Sequence, residues 1–224
     1  SRGLGDVYKR QGHDDEAAAF EARREALNRT IHARFYDPAT HTYATGSQLD
    51  MTYPMLVGAT PDSLRAGVEQ RLFRSTHDVM KDHIGGGLVG VPVITRWAVR
   101  SHNPEFIYRM LKQRGYPGYL HMIDHGATAT WEYWSGERSR VHNCYNGIGT
   151  WFYQALGGLR TDSSHPGYEH VFIDPQIPEG VEWCRIGKET PYGRIDLGWE
   201  IADGELRIDV TLSLIHISEP TRPR

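Results

Sequence analysis

The chain has 224 residues, of which 24% are charged and 39% hydrophobic, and its formal net charge is −3. That length accommodates one domain and the start of another. The acidic balance argues against nucleic acid or an anionic membrane surface as the partner, and no apolar run approaches the ~20 residues that span a bilayer. Cys144 and Cys184 form no C-x-x-C pattern, so two buried free thiols are expected rather than a disulfide.

Both ends differ in character from the rest of the chain. Residues 1–11 and 213–224 resemble translated sequencing-adapter read-through, and they are set aside here as artefacts. We expect them to pack against nothing, with Leu214 and Ile217 outside any regular strand. The remaining body is then an internal fragment of a longer protein.

Helical signals extend from Asp14 to about Leu156. Asp14 can cap a helix, and Thr60-Pro61 and Asn103-Pro104 each open another, because a capping residue followed by proline suits the first helical turn. Two less regular apolar stretches lie at 48–57 and 88–99. The residues that recur at helical spacing are Phe20, Leu27, Ile31 and Phe35, then Leu64, Val68 and Leu72, then Phe106, Ile107, Met110 and Leu111, and finally Ile148, Trp151, Phe152, Ala155 and Leu156. This order predicts stacked helical hairpins.

Strand signals replace helical ones after residue 163. Segments 171–173, 181–186 and 195–201 are short and rich in β-branched or aromatic residues. Asp203-Gly204 then precedes the alternating Leu206, Ile208 and Val210, and an Asp-Gly pair in that setting predicts a two-residue hairpin turn. We expect an antiparallel β-domain whose truncation leaves exposed edges and apolar surface.

The most informative segment for function is Trp131-Glu132-Tyr133-Trp134, where a carboxylate stands between two indoles. Aromatic faces stack on the C–H-rich faces of sugars, and a carboxylate accepts hydroxyl or water protons. The alternative is a core tryptophan pair beside a surface glutamate. His142 follows after a short polar loop and has ring nitrogens suited to sugar hydroxyls, although a structural loop histidine is the alternative.

A metal site is not expected. His121 and His125 have the spacing of ligands on one helix face, but glycines and a proline bracket the segment, so a helix there is not predicted. Neither a P-loop nor a dinucleotide-binding motif is present, and no cofactor is expected. The glycine-rich residues 85–90 instead predict a loop where the backbone passes close to another group.

Taken in order, these segments resemble the bacterial α-L-rhamnosidase family of glycoside hydrolases, and the resemblance covers nearly all of the chain between its ends. The matching segments are Tyr43-Ala44-Thr45-Gly46-Ser47-Gln48, His83 to Gly90, Tyr116 to Thr128, Trp131 to Trp134, Ser139 to His142, Trp151-Phe152-Tyr153, and Pro166-Gly167-Tyr168 leading into Ile173-Asp174-Pro175. The fold implied is the second half of an (α/α)₆ six-hairpin barrel, at 12–162, followed by an incomplete antiparallel β-sandwich at 163–212.

The resemblance also implies roles. The position of Glu132 is the general base of an inverting hydrolase that releases terminal α-L-rhamnose, while His142, Trp131 and Trp134 line the sugar subsite. The general acid comes from a glutamate earlier in the family's barrel, before Gly12, so this fragment is expected to be inactive. Three residues depart from the family pattern around the base: Ala129, Tyr133 and Val141 stand where threonine, arginine and asparagine are common.

Two other functions stay open. One is another inverting (α/α)₆-barrel glycosidase acting on a gluco- or fuco-configured sugar, and the other is a sugar-binding protein that has lost catalysis. The partner expected in each case is a carbohydrate. The aglycone, the linkage, the compartment and the oligomeric state are left open by these residues. In a half-barrel, stripes such as Leu64, Val68 and Leu72 are expected to be exposed.

Overall fold

A computed structural model describes residues 2–162, 164–165 and 167–213. The chain is mainly helical, with small antiparallel sheets near its C-terminal end, as the sequence predicts. It divides into two compact units, one of residues 1–97 and 113–145 and the other of residues 98–112 and 146–224. No helix among the described residues is both long and apolar enough to cross a membrane.

Within the described residues, eight α-helices, some extended by π-helical or 3₁₀ turns, make up the helical part. They are α1 (Arg2–Arg10), α2 (Asp14–Phe35), α3 (Gln48–Val57), α4 (Asp62–Arg74, extended by the π-helical Ser75–Val79), α5 (Gly90–Arg100), α6 (Pro104–Leu111), α7 (Tyr119–Asp124) and α8 (Gly149–Trp151, between the 3₁₀ turn Asn146–Ile148 and the π-helical Phe152–Leu156). The predicted starts at Asp14, Pro61 and Pro104 are confirmed to within one residue. The two apolar stretches with less regular spacing are also helical, as α3 and most of α5.

The first unit is organised around helix α3. Ser47 caps this helix, because its hydroxyl accepts the Asp50 N–H at 3.1 Å. The next side chain, Gln48, is 1% exposed. Its amide nitrogen donates to the Thr76 hydroxyl at 3.2 Å and to the His83 carbonyl at 3.0 Å, and its oxygen accepts the Gly85 N–H at 2.7 Å. One buried amide therefore ties α3 to the segment that leads into the glycine-rich residues.

Helix α4 corrects an expectation. Its stripe was expected to be exposed, yet Val68 and Leu72 are each 0% exposed, and Leu64 is half-buried. The apolar positions of α2 behave differently, since Leu27 is 49% and Phe35 is 46% exposed. Part of the apolar stripe of α2, rather than that of α4, is therefore exposed.

The N-terminal end also differs from expectation. Residues expected to pack against nothing form helix α1, and the Tyr8 ring stacks on Phe20 of α2 with ring centroids 5.4 Å apart. At the other end, the Ser213 N–H donates to the Arg194 carbonyl at 3.1 Å. The expectations for Leu214 and Ile217 lie outside the described residues.

The segment around His121 is a further correction, because residues 119–124 form helix α7 despite the glycines that flank them. The helix has only six residues. Met122 anchors it in the unit's interior at 2% exposure. Tertiary burial thus overrides the weak local propensity.

The second unit carries the larger sheets. β3 (Leu159–Thr161) pairs antiparallel with β4 (Val171–Ile173), and β5 (Trp183–Thr190), β6 (Gly193–Ala202) and β7 (Glu205–Leu212) form a three-stranded antiparallel sheet. The predicted turn between β6 and β7 is confirmed, since Asp203 and Gly204 have φ of 54° and 80°. A two-stranded pair in the first unit, β1 (Tyr36–Asp37) with β2 (Thr42–Tyr43), and strand β3 were not predicted.

The core of this unit lies on one face of strand β6. Ile195 and Leu197 are 0% and 2% exposed and pack with Leu159. The apolar side chains of β7 continue the same face, because each is paired with a β6 residue that points the same way. They remain 37–48% exposed: Leu206, Ile208, Val210 and Leu212. The expected exposed apolar surface is therefore confirmed on this strand.

Candidate active site

The carboxylate of Glu132 lies in a loop of the first unit, between residues 125 and 145, that contains neither helix nor strand. Two backbone hydrogen bonds cross this loop: the Glu132 N–H donates to the Ser139 carbonyl and the His142 N–H donates to the Thr130 carbonyl, each at 2.8 Å. We call residues 130–142 the base loop. The crossing bonds bring the segment that carries Glu132 alongside the segment that carries His142.

Glu132 is partly enclosed, with its side chain 26% exposed. The Ser139 N–H donates to Oε2 at 3.3 Å, and Nη1 of Arg138 lies 3.8 Å from Oε1. Arg138 is 70% exposed, so its ion pair is screened by solvent and contributes little to stability. The backbone contact gives the carboxylate a defined direction within its own loop.

A buried glycine shapes the same loop. Gly136 has φ of 78°, and its N–H closes a turn on the Tyr133 carbonyl at 3.0 Å. A Cβ at this position would lie 2.8 Å from Cζ3 of Trp131. The indole of Trp131 therefore packs against the space that a side chain would fill, and the Arg140 guanidinium lies 5.2 Å from the centre of its ring.

The two indoles that flank Glu132 are largely buried. Trp131 is 2% and Trp134 is 8% exposed. Trp134 donates its ring N–H to the Gly86 carbonyl at 2.9 Å and stacks on Tyr145 with centroids 3.8 Å apart and planes at 13°. The sequence predicted that the backbone of residues 85–90 passes close to another group. Trp134 is such a group, and its hydrogen bond joins the base loop to the glycine-rich segment.

A pair of tyrosines supports this indole. Tyr119 meets Trp134 edge-on at 5.1 Å, and its hydroxyl donates to the Tyr145 carbonyl at 2.8 Å. Burial raises the pKa of both the Tyr119 and the Tyr145 hydroxyl. Both therefore stay protonated, and Tyr119 stays a donor, throughout the physiological range.

His142 has a defined hydrogen-bonding state. The Cys144 N–H points at its Nδ1 from 3.1 Å, and the Cys144 thiol sulfur lies 2.8 Å from the same nitrogen. A backbone N–H can only donate, so Nδ1 accepts and the neutral ring carries its proton on Nε2. The expectation that both cysteines are buried and free is confirmed.

Sequence reasoning missed several residues of this site. Ser139 and Cys144 contact the site through their backbone N–H groups, Cys144 also through its thiol, and Arg138 through its guanidinium. None of these contacts follows from a pattern of residue types in the sequence. The sequence offered one signal of this loop's shape, which is Gly136 within a polar segment. Glycine is favoured where φ is positive, as it is at this position. Of the residues that depart from the family pattern, Tyr133 is 43% exposed beneath the Arg138 guanidinium, and Val141 is 77% exposed.

Helices followed by antiparallel sheets, with Glu132 between Trp131 and Trp134 in the sequence, are the order expected from the resemblance to six-hairpin glycosidase domains. The model of the bacterial α-L-rhamnosidase six-hairpin glycosidase domain matches residues 6–156, and that of the bacterial α-L-rhamnosidase C-terminal domain matches residues 158–212. The chain belongs to this family. The first match begins inside the end that was set aside as an artefact.

Individual relatives agree with this assignment. An α-L-rhamnosidase of Alteromonas sp. (strain LOR) is 24% identical over 214 residues, which are 90% of this chain and 23% of the relative. The chain thus spans about a quarter of the length of such relatives. Among solved structures, the α-L-rhamnosidase of Streptomyces avermitilis complexed with L-rhamnose matches with a TM-score of 0.83 at 21% identity, over 92% of this chain and 20% of that one. The α-L-rhamnosidase from Dictyoglumus thermophilum matches with a TM-score of 0.86 at 19% identity, over 96% of this chain and 25% of that one.

Proposed function

We propose that this chain supplies the general-base half of the active site to an inverting hydrolase that releases terminal α-L-rhamnose from glycosides. The observation that carries the proposal is the base loop, in which Glu132 is partly exposed while its two flanking indoles and its backbone are fixed. A general base needs a fixed carboxylate with room for one water. The alternative of a surface glutamate beside a core tryptophan pair explains the buried indoles but gives no reason for the Ser139 contact with the carboxylate.

In the proposed reaction, Glu132 removes a proton from a water molecule while the water oxygen attacks the anomeric carbon. The bond from that carbon to the leaving oxygen breaks, and a second carboxylic acid protonates this oxygen. In inverting enzymes the two carboxyl groups stand roughly 6.5–9.5 Å apart, which leaves room for the water. The second acid is not among the motifs matched in residues 12–211, so we propose that the 224 residues alone do not turn over substrate.

His142 and the indoles complete the proposal. With Nδ1 occupied by the Cys144 N–H, the Nε2–H of His142 is the donor available to a sugar hydroxyl. Trp131 and Trp134 would then line the subsite chiefly by holding the loop, because little of either ring is exposed. The three departures at Ala129, Tyr133 and Val141 lie around the base, and we expect them to affect sugar and linkage preference more than the type of reaction.

The test uses a full-length enzyme that carries this sequence, assayed on an aryl α-L-rhamnoside. Glu132→Gln keeps the shape and removes the base, so kcat should fall by more than about a hundredfold while KM changes much less. Glu137→Gln, an exposed glutamate of the same loop, is the matched control and should leave both constants near their original values. Proton NMR of the first-formed sugar should show the β anomer.

Four results would contradict the proposal. An unchanged kcat in Glu132→Gln would remove the base assignment, and a first-formed α anomer would remove inversion. Binding of rhamnose without turnover in the full-length enzyme would favour the sugar-binding alternative. For the 224 residues alone, turnover above the buffer rate that disappears in Glu132→Gln would show that the chain carries its own acid.

A further inference from the structure

A cluster of two histidines and one aspartate lies in the second unit, in the connection between β3 and β4. The ladder of these strands ends at the pair Thr161 and Val171, and one residue further the Asp162 N–H donates to the His170 carbonyl at 3.1 Å. Asp162 and His170 are therefore cross-strand neighbours at the mouth of the connection. His165 folds back from within it, so that its ring lies 3.8 Å from that of His170, centroid to centroid.

The side-chain atoms of this cluster converge. Oδ2 of Asp162 lies 3.3 Å from Nδ1 of His165 and 4.0 Å from Nδ1 of His170, and one ligand atom from each residue lies within 4.8 Å of the others. Tetrahedral zinc with bonds of 2.0–2.2 Å places its ligand atoms about 3.4 Å apart. Binding of an ion would therefore draw the three ligand atoms closer together.

Hydrogen bonds within the cluster already orient the carboxylate. The Ser164 N–H and hydroxyl donate to Oδ1 of Asp162 at 2.8 Å and 2.6 Å, which leaves Oδ2 facing the two rings. The Ser164 hydroxyl oxygen also lies 3.1 Å from Nδ1 of His165. Nδ1 of His170 is too far from Oδ2 for a hydrogen bond. The carboxylate therefore bonds to the His165 ring and leaves the Nδ1 of His170 facing the same space, where a cation could contact all three groups.

The histidine pair considered in the sequence analysis lacks these properties. His121 and His125 lie 4.2 Å apart, centroid to centroid, but the nearby Asp124 carboxylate accepts two hydrogen bonds from Arg114, at 2.6 Å and 2.9 Å. Nδ1 of His125 is hydrogen-bonded to the His121 carbonyl at 2.8 Å. That pair therefore offers two rings without a third ligand, and it is a natural control.

We propose that Asp162, His165 and His170 form a site for a divalent transition metal ion, with Zn²⁺ as the commonest candidate. Two imidazoles and a carboxylate favour Zn²⁺, Ni²⁺ or Cu²⁺ over Ca²⁺ and Mg²⁺, which prefer oxygen ligands. The side chains are 21–47% exposed, so water can fill the fourth position. The bound ion would clamp the β3–β4 connection, and no step of the proposed hydrolysis uses it.

The test titrates Zn²⁺ into the chelator-treated 224-residue protein by calorimetry, with Co²⁺ absorption to report a tetrahedral shell. We expect one equivalent to bind with Kd on the order of 1 μM. Asp162→Asn and His170→Gln should each weaken binding at least tenfold, while His121→Ala combined with His125→Ala should leave it unchanged. Ca²⁺ at the same concentrations should give no heat.

A measurement without mutation guards against misfolded variants. Substoichiometric Cu²⁺ should broaden the NMR signals of the His165 and His170 rings before those of His121 and His125. The proposal is wrong if Zn²⁺ binds no tighter than about 1 mM. It is equally wrong if affinity is lost in the His121/His125 variant and kept in His170→Gln, or if the copper broadening begins at His121 and His125.

Discussion

Gly136 in the base loop should tolerate no side chain, and the cost of Gly136→Ala can be estimated from two terms. Its φ of 78° places alanine in the left-handed region, which costs roughly 1–2 kcal/mol. The added Cβ would lie 2.8 Å from Cζ3 and 3.0 Å from Cε3 of Trp131. Because that indole is 2% exposed and so in contact with the protein on nearly all sides, forced repacking adds about 1–3 kcal/mol. Together the two terms predict a loss of about 2–5 kcal/mol.

Gly126→Ala separates these two terms. Gly126 has φ of 81°, and a Cβ there would meet nothing within 4 Å. This variant should therefore lose only the backbone term of about 1–2 kcal/mol, and the difference between the two variants measures the contact with Trp131. The assay is urea unfolding of the 224-residue protein, followed by tryptophan fluorescence at several protein concentrations.

The reasoning also predicts an effect on catalysis. In a full-length enzyme carrying this sequence, Gly136→Ala should lower kcat more than Gly126→Ala does, because a displaced Trp131 moves the adjacent Glu132. Equal destabilisation in the two variants would refute the steric argument. A Gly136→Ala protein as stable as the original would refute the backbone argument as well.

Two further predictions concern packing. Gln48→Met keeps the length of the buried side chain but removes three hydrogen bonds, so the free energy of unfolding should fall by about 2–4 kcal/mol. Thr52→Val removes a single hydroxyl, which donates to the Gln48 carbonyl at 2.7 Å and to the Leu49 carbonyl at 3.4 Å, and should cost about 1 kcal/mol. Urea unfolding that ranks the two variants equally would contradict this. Ile208→Lys places a charge on the half-exposed apolar row of β7. It should reduce concentration-dependent light scattering while changing the free energy of unfolding by less than about 1 kcal/mol. Unchanged scattering would show that self-association uses another surface.

Local chemistry accounts for the part of the fold that could be predicted. The Asp203-Gly204 turn, the start of α4 after Thr60-Pro61 and strand β4 all depend on residues adjacent in sequence. Strand β3 escaped prediction because three residues without a repeating pattern become a strand only when β4 pairs with them. Helix α7 escaped it because burial of Met122, rather than propensity, stabilises it.

The residues of the candidate site also fall into those that the sequence predicts and those that it does not. Glu132 and His142 were proposed as site residues because their residue types and order match a family, and the segment between the indoles is distinctive. The hydrogen bonds that hold the surrounding segments in place were not predicted. Trp134 bonds to Gly86, which is 48 residues away in sequence, and Gln48 bonds to Gly85, which is 37 residues away. Such contacts arise from tertiary packing and leave no short-range pattern. The same holds for Asp162 and His170, which only the β3–β4 pairing brings together.

The base loop has a consequence for how such an enzyme fails on heating. Residues 125–145 contain neither helix nor strand, and two cross-loop backbone bonds fix the positions of Glu132 and His142. Segments held by few hydrogen bonds open with a smaller free energy than the whole molecule. Amide protons of this loop should therefore exchange with solvent well before those of the helices. Thermal inactivation would then occur at a lower temperature than the loss of helical structure. The stability of this one loop would set the upper working temperature.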